Sequence, residues 1–198
     1  MKEIIVFITG FFTAIFAEPL RRWIFRPRLI MDFGDTNDFK ADTPEIVGTT
    51  DGTIRKGRAY YIRGRVVNKS TNIAKQCRVY LTNIEKKSNR TGEFEQTTFC
   101  EGIPLHWSCR ELGGAFNPLD LPKDINQYFD IFSTREGDTN IDPKLMSKPF
   151  RYEHLFTEPG TYRYSIQVSG EGFRPIVMKI LLEWKGVWDD FIVKKEDA

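Results

Sequence analysis

The sequence predicts an all-β protein: an antiparallel sandwich preceded by one N-terminal transmembrane helix. Three observations predict it. An apolar run, Ile4 to Ala17, is followed at once by Arg21, Arg22, Trp23, Arg26 and Arg28. Several later segments alternate apolar and polar residues with period two, between clusters of Gly, Pro and Asn. No stretch after the basic collar has helical periodicity, and strands without intervening helices indicate an antiparallel sandwich or barrel. The chain therefore divides into a membrane anchor with its collar, 1–26, and a β-sandwich domain, 27–198, long enough for one core.

Fourteen helical residues rise about 21 Å, against a hydrocarbon core about 30 Å thick. Lys2 snorkelling at one end, Glu18 at headgroup depth at the other and local bilayer thinning make up the difference. Trp23 and Phe25 among arginines suit the membrane–water interface. Two alternatives stay open. A cleaved signal peptide is disfavoured because Glu3 cancels Lys2, Ile15 stands where a small residue is needed before Ala17, and the arginines resist translocation. A buried or interfacial helix is permitted by a run of this length. The arginines place the C-terminal domain on the cytoplasmic side of a cell inner membrane, crossed once. Cys77, Cys100 and Cys109, an odd number without paired spacing, fit a reducing compartment. Gly10 and Ala14 form a small-xxx-small pair through which two anchors can associate, although small residues are common in any anchor.

The strands follow in order. Pro27 to Phe33 is the first. Ala59 to Asn68 sets Tyr60, Ile62, Gly64 and Val66 against Tyr61, Arg63, Arg65 and Val67. Gln76 to Ile84 turns Cys77, Val79 and Leu81 to one face, and Gln127 to Ser133 buries Phe129 and Ile131. Tyr162 to Val168 alternates most cleanly, and Ile176 to Trp184 follows in register after a hairpin at Gly170-Glu171-Gly172. A last strand runs through Phe191 and Val193. Asn37 to Gly57 is read as a polar loop with room for a short edge strand, and Gly102 to Asn126 and Arg135 to Ser147 as irregular. Glu158-Pro159-Gly160-Thr161-Tyr162 looks like a tyrosine corner, whose hydroxyl ties back to the upstream loop.

Arg65 to Leu81, RVVNKSTNIAKQCRVYL, resembles a recurring strand pair of bacterial and archaeal immunoglobulin-like modules, and PGTYRYSIQV is similar to their later G-x-Y strand. The layout resembles uncharacterised bacterial single-pass membrane proteins with an immunoglobulin-like β-sandwich. The resemblance implies that fold and carries no activity, because the matching residues cap a turn and fill a core.

The net charge of +2 conceals an asymmetry. Between Asp51 and Arg90 stand eleven Lys and Arg against two acids, a net of +9. Arg63, Arg65, Arg78, Lys86, Lys87 and Arg90 are the candidate residues for an anionic ligand or lipid surface. Arg63 and Arg65 share a strand face that Arg78 joins if the two strands pair, and Lys86, Lys87 and Arg90 crowd one hairpin turn. The plainer alternative is a solvated face, balanced by acids elsewhere and guarding strand edges. Nucleic acid is not expected, since no recognised motif is present.

His106 and His154 are the only histidines, and no C-x-x-C or H-x-x-x-H spacing points to a metal. Asp120, Asp124, Asp130 and Asp138 are read as capping or solvating turns. With no convergent acid, base or nucleophile and no phosphate loop, neither an enzyme nor a cofactor is expected. The chain is expected to be a membrane-anchored binding protein whose cytoplasmic sandwich recognises a partner or anionic ligand at the membrane surface. Membrane lipids are its first partner, with a protein partner or self-association through the anchor beside them. The alternative is an antiphage-type effector in which the β domain senses a nucleotide and the anchors assemble to disrupt the membrane, a pattern from which a single short anchor departs.

Overall fold

The computed structural model describes residues 26–34, 36–48, 54–111 and 113–196. Among them the strands run β1 (Leu29–Asp32), β2 (Lys40–Gly48), β3 (Ile54–Asn68), β4 (Ala74–Lys87), β5 (Phe94–Gln96), β6 (Ile103–Pro104), β7 (His106–Trp107), β8 (Leu119–Leu121), β9 (Asn126–Arg135), β10 (Asp142–Pro143), β11 (Gly160–Glu171), β12 (Ile176–Trp184) and β13 (Phe191–Glu196). A 3-10 turn, Phe150–Tyr152, and one α-helical turn, α1 (His154–Thr157), precede β11.

The strands form two antiparallel sheets, a β-sandwich. In the first, β1 and β2 share one side of β3, β9 takes its other side, and β7 and β10 pair with β9. In the second, the order is β13-β12-β11-β4, with β5, β6 and β8 along the far side of β4. The alternation read from the sequence is the alternation of burial. Tyr162, Tyr164, Ile166 and Val168 of β11 face the core, as do Met178, Ile180, Leu182 and Trp184 of β12. Each such side chain contributes about 1.5–3 kcal/mol through burial.

Two bulges adjust the pattern. On β4, Leu81 faces Ile166 and Asn83 faces Ser165, so Thr82 is an extra residue, and Ile84 is turned inward. The Thr82 hydroxyl donates to the Ser165 carbonyl at 3.1 Å. On β9, Ile62 of β3 faces Phe132 and Arg63 faces Asp130, so Ile131 is the extra residue. Around that bulge Phe129 through Thr134 are all buried, because both faces of β9 are covered there.

Several irregular regions of the sequence reading are ordered. Asn37 to Gly57 contains the nine-residue strand β2. Its polar residues and Pro44 conceal it, and an edge strand tolerates both because one side of its backbone faces water. The later irregular regions hold β6, β7, β8 and β10, each too short for a periodic signal. The predicted anchor, with Gly10, Ala14, Arg21, Arg22 and Trp23, lies outside the described residues. Among those described, no helix is long and apolar enough to cross a membrane, and Arg26 is exposed.

At the foot of β11 the Tyr162 hydroxyl donates to the Glu158 carbonyl at 2.8 Å, the tie expected of the Pro-Gly-Thr-Tyr turn. Tyr162→Phe keeps the buried ring and removes this bond. It should lower the unfolding free energy by about 1 kcal/mol in urea titrations.

Candidate functional site

The six candidate bases divide between the two sheets. Arg63 and Arg65 lie on the outer face of β3, whereas Arg78, Lys86 and Lys87 lie on β4 and Arg90 in the β4–β5 turn. The strands β3 and β4 are consecutive but do not pair, so Arg78 does not join Arg63 and Arg65; it faces Ser169 of β11. The cause is a corner between them. The buried Asn68 amide nitrogen donates to the carbonyls of Asn72 (2.6 Å) and Leu121 (2.9 Å), and its side-chain oxygen accepts from the backbone N–H of Ser70 at 3.0 Å. These bonds turn the chain from one sheet to the other.

Most of the candidate charges are already matched. Arg63 Nε lies 3.0 Å from Asp130 Oδ1, Arg65 Nη2 2.6 Å from Asp32 Oδ2, and Lys86 Nζ 2.6 Å from Glu158 Oε2. Partial burial pushes the Lys86 ammonium down, but Glu158 and the neighbouring Tyr162 outweigh it and hold the group above its ordinary value. Among the described residues no carboxylate pairs with Arg78, Lys87 or Arg90, all exposed. Lys86 and Lys87, with Ser88, Thr97 and His154, line a cleft of about 460 Å³ between the β4–β5 hairpin and α1. This is the place where predicted bases converge, a hairpin turn as expected.

A second polar cluster escaped the sequence reading. Asp130 is 4% exposed in the middle of β9, not in a turn. Its cross-strand neighbours are Arg63 of β3 and His106 of β7, so the three form one row across three strands. His106 Nδ1 lies 3.1 Å from Oδ2, and the Ser108 hydroxyl donates to Oδ1 at 2.6 Å. In the next row Phe129 lies between Gly64 and Trp107 and faces the core. A Cβ on Gly64 would overlap the Phe129 ring, which explains the glycine in mid-strand. The signal in the sequence was an acid inside the run QYFDIFS, where an outward strand position needs a partner if the outer face is covered. It is covered by the turn after β7: Phe116 packs edge-on to His106 at 5.5 Å, and the Trp107 indole N–H donates to the Asn117 carbonyl at 3.1 Å.

An imidazole held by a buried carboxylate is half of a general-base arrangement, but the other half needs a nucleophile on the second ring nitrogen. Ser108 bonds the carboxylate instead, and among the described residues no hydroxyl or thiol bonds His106, whose side-chain partner is the Asp130 carboxylate. The cluster is a structural tie: the Arg63–Asp130 ion pair joins β3 to β9, and His106 and Ser108 bond the same carboxylate from β7 and the start of the covering turn. Beside it, Tyr61, His106, Phe116, Asp142 and Lys144 line an open cleft of about 460 Å³. Among the described residues no three potential metal ligands come together. Cys100 and Cys109 are exposed free thiols, and burial pushes the Cys77 thiol up to about 12, which leaves it unreactive.

Compared with family models, with curated proteins and with solved structures, the chain matches none.

Asp130→Ala leaves Arg63 half-buried without its carboxylate and should destabilise the domain by about 3–5 kcal/mol, read by chemical denaturation. The double change Arg63→Met, Asp130→Leu should recover only part of that loss, because Ser108 and His106 still lack the carboxylate they bond. A second expectation concerns acid. Partial burial pushes the Asp142 carboxyl up, but its bonds to Lys144 (2.6 Å) and Lys148 outweigh this and hold it below its ordinary 3.8. The group's contribution is therefore complete above 3.8 and is lost as pH falls through the lower folded value. Asp142→Asn should be less stable than wild type at neutral pH, and the gap should narrow in acid. Urea midpoints measured across the acid range would show it.

Proposed function

We propose that the chain is a membrane-anchored binding protein. In this account the run Ile4 to Ala17 crosses a cell inner membrane, the collar at Arg21, Arg22, Trp23 and Arg26 lies among cytoplasmic headgroups, and an immunoglobulin-like sandwich recognises an anionic ligand or partner. The supporting observation is the position of the basic hairpin. Arg28 begins the sandwich at the Asn68 corner, where its carbonyl accepts from the Lys69 N–H at 2.7 Å. Lys86, Lys87 and Arg90 lie at the opposite end of β4, on the order of 40 Å away at strand rise. A hairpin so placed lies at the end of β4 remote from the residues that follow the collar, which in this account supports a ligand from the cytoplasm over a lipid headgroup. The immunoglobulin-like description is supported by the strand order: β1-β3-β9, with β7 before β9 in the chain and paired to its far side, follows the A-B-E-D sheet of that fold, β4-β11-β12 follows C-F-G, β10 is an addition after β9, and Tyr162 stands at the corner position of strand F.

One observation favours the nucleotide-sensing effector as a second reading. It is the convergence of Lys86, Lys87 and His154 on one open cleft, a set of groups suited to a phosphate. In that case Gly10 and Ala14 are the seam through which the anchors assemble. The test uses the full chain in lipid nanodiscs. Inorganic pyrophosphate and a panel of cyclic nucleotides should raise the melting temperature of the wild type and not that of Lys86→Gln, Lys87→Gln, because a ligand bound only by the native state stabilises it. Pull-down of a protein by the wild type, lost in the same variant, supports the partner-binding form. If neither response depends on the two lysines, the hairpin is not the site. A chain extracted from membranes by carbonate, or a C-terminal reporter active outside the cell, removes the anchored account altogether.

A further inference from the structure

The end of the sandwich nearest the collar carries a surface that the six candidate bases do not include. Two loops form it, Lys69–Ile73 between β3 and β4 and Pro122–Ile125 between β8 and β9. Asn68 binds the first through its amide to the Asn72 carbonyl and the second through its own carbonyl, which accepts from the Asp124 N–H, and a bridge between Asn68 and Lys123 sets them side by side. Each loop ends in an exposed isoleucine, Ile73 at 51% and Ile125 at 56%. The described residues leave eight large hydrophobic side chains exposed, and four of them, Ile30, Ile73, Ile125 and Val177, are at or next to this end. Bases surround them. Arg26, Arg28, Lys69, Lys75, Lys123 and Arg174 are all exposed here, against Asp120, Asp124 and Glu171. Asp120 accepts from the Gln76 N–H at 2.9 Å, and Asp124 is shared between Lys69 at 3.0 Å and Lys123 at 3.9 Å, so the excess of base over acid at this end is three charges.

Exposed apolar tips inside a basic ring match the chemistry of an anionic bilayer surface, where apolar burial and headgroup attraction add. The chain also fixes the distance. Arg26 stands nine positions after Ala17, and a fully extended chain over that interval reaches at most about 32 Å. We infer that this end, built on Asn68 and tipped by Ile73 and Ile125, is a foot that rests on anionic lipid and holds the sandwich upright on the membrane. The inference rests on the anchored function proposed above. It gives the protein two separate basic surfaces, a lipid-facing one at the Asn68 end and a ligand-facing one at the Lys86–Arg90 hairpin.

The experiment uses the full chain with Cys100 and Cys109 changed to serine and an environment-sensitive fluorophore on Ile125→Cys or, as a control, on Arg90→Cys. Each is reconstituted into vesicles of phosphatidylcholine alone or mixed with phosphatidylglycerol, and flotation is measured on the same samples. The probe at position 125 should shift to the blue and be quenched by spin-labelled headgroups in the mixed vesicles, and much less in phosphatidylcholine. The probe at position 90 should stay aqueous in both. Lys69→Glu, Lys123→Glu should return the first probe toward its aqueous emission, and the comparison of lipids stands even where that variant folds poorly. If the chain floats but the two probes behave alike, the foot is overturned and the anchor stands. If it floats on neither composition, both are overturned.

Discussion

The corner at Asn68 is the constraint on which the rest of the architecture depends. A chain leaving β3 has to expose backbone groups as it crosses to the second sheet, and groups buried there without partners would each cost about 1–3 kcal/mol. The Asn68 side chain supplies three of those partners from a fully buried position. Its backbone carbonyl supplies another, accepting from the Asp124 N–H at 2.8 Å. One residue thus sends β4 into the opposite sheet and gathers the loops at that end. It also separates Arg63 and Arg65 from the bases that follow them in sequence.

A different solution operates on the outer face of the first sheet. There a polar row, the Arg63–Asp130 ion pair with His106 bonded to the same carboxylate, is covered by the turn that follows β7. Buried ion pairs add little net stability over apolar residues of the same size, but removing one member is severe. Such a row therefore discriminates between arrangements more than it strengthens one. It fixes the register of β3, β9 and β7, because a slip of one residue would set Asp130 against the core.

How far the sequence was legible follows from the same physics. The strands β11 and β12 were readable because they lie in mid-sheet with one face in the core and the other in water, so burial is printed directly as alternation. The strand β2 was not, since an edge strand with Pro44 carries little of that signal. Ile84 leaves period two because an extra residue shifts the phase, and the run Phe129 to Thr134 leaves it because both faces of β9 are covered. The candidate bases were grouped by nearness along the chain, and that grouping holds only where a hairpin brings neighbours together, at Lys86 and Lys87. It fails across Asn68, where consecutive strands part. Asp130 was misread as a turn residue because its partners, Arg63 and His106, are remote in sequence and only the sheet brings them together.

The pairing of β4 also has a consequence for biogenesis. Its principal neighbour is β11, and Lys86 meets Tyr162, seventy-six positions later in the chain. At ribosomal speeds of roughly 5–20 residues per second, β4 waits on the order of 4–15 s for that strand to be synthesised. During the delay its core face, with Val79, Leu81 and Ile84, has only the short strands β5, β6 and β8 and the first sheet as cover. The nascent chain thus passes through a stage with an open, apolar edge, when holdase chaperones matter most.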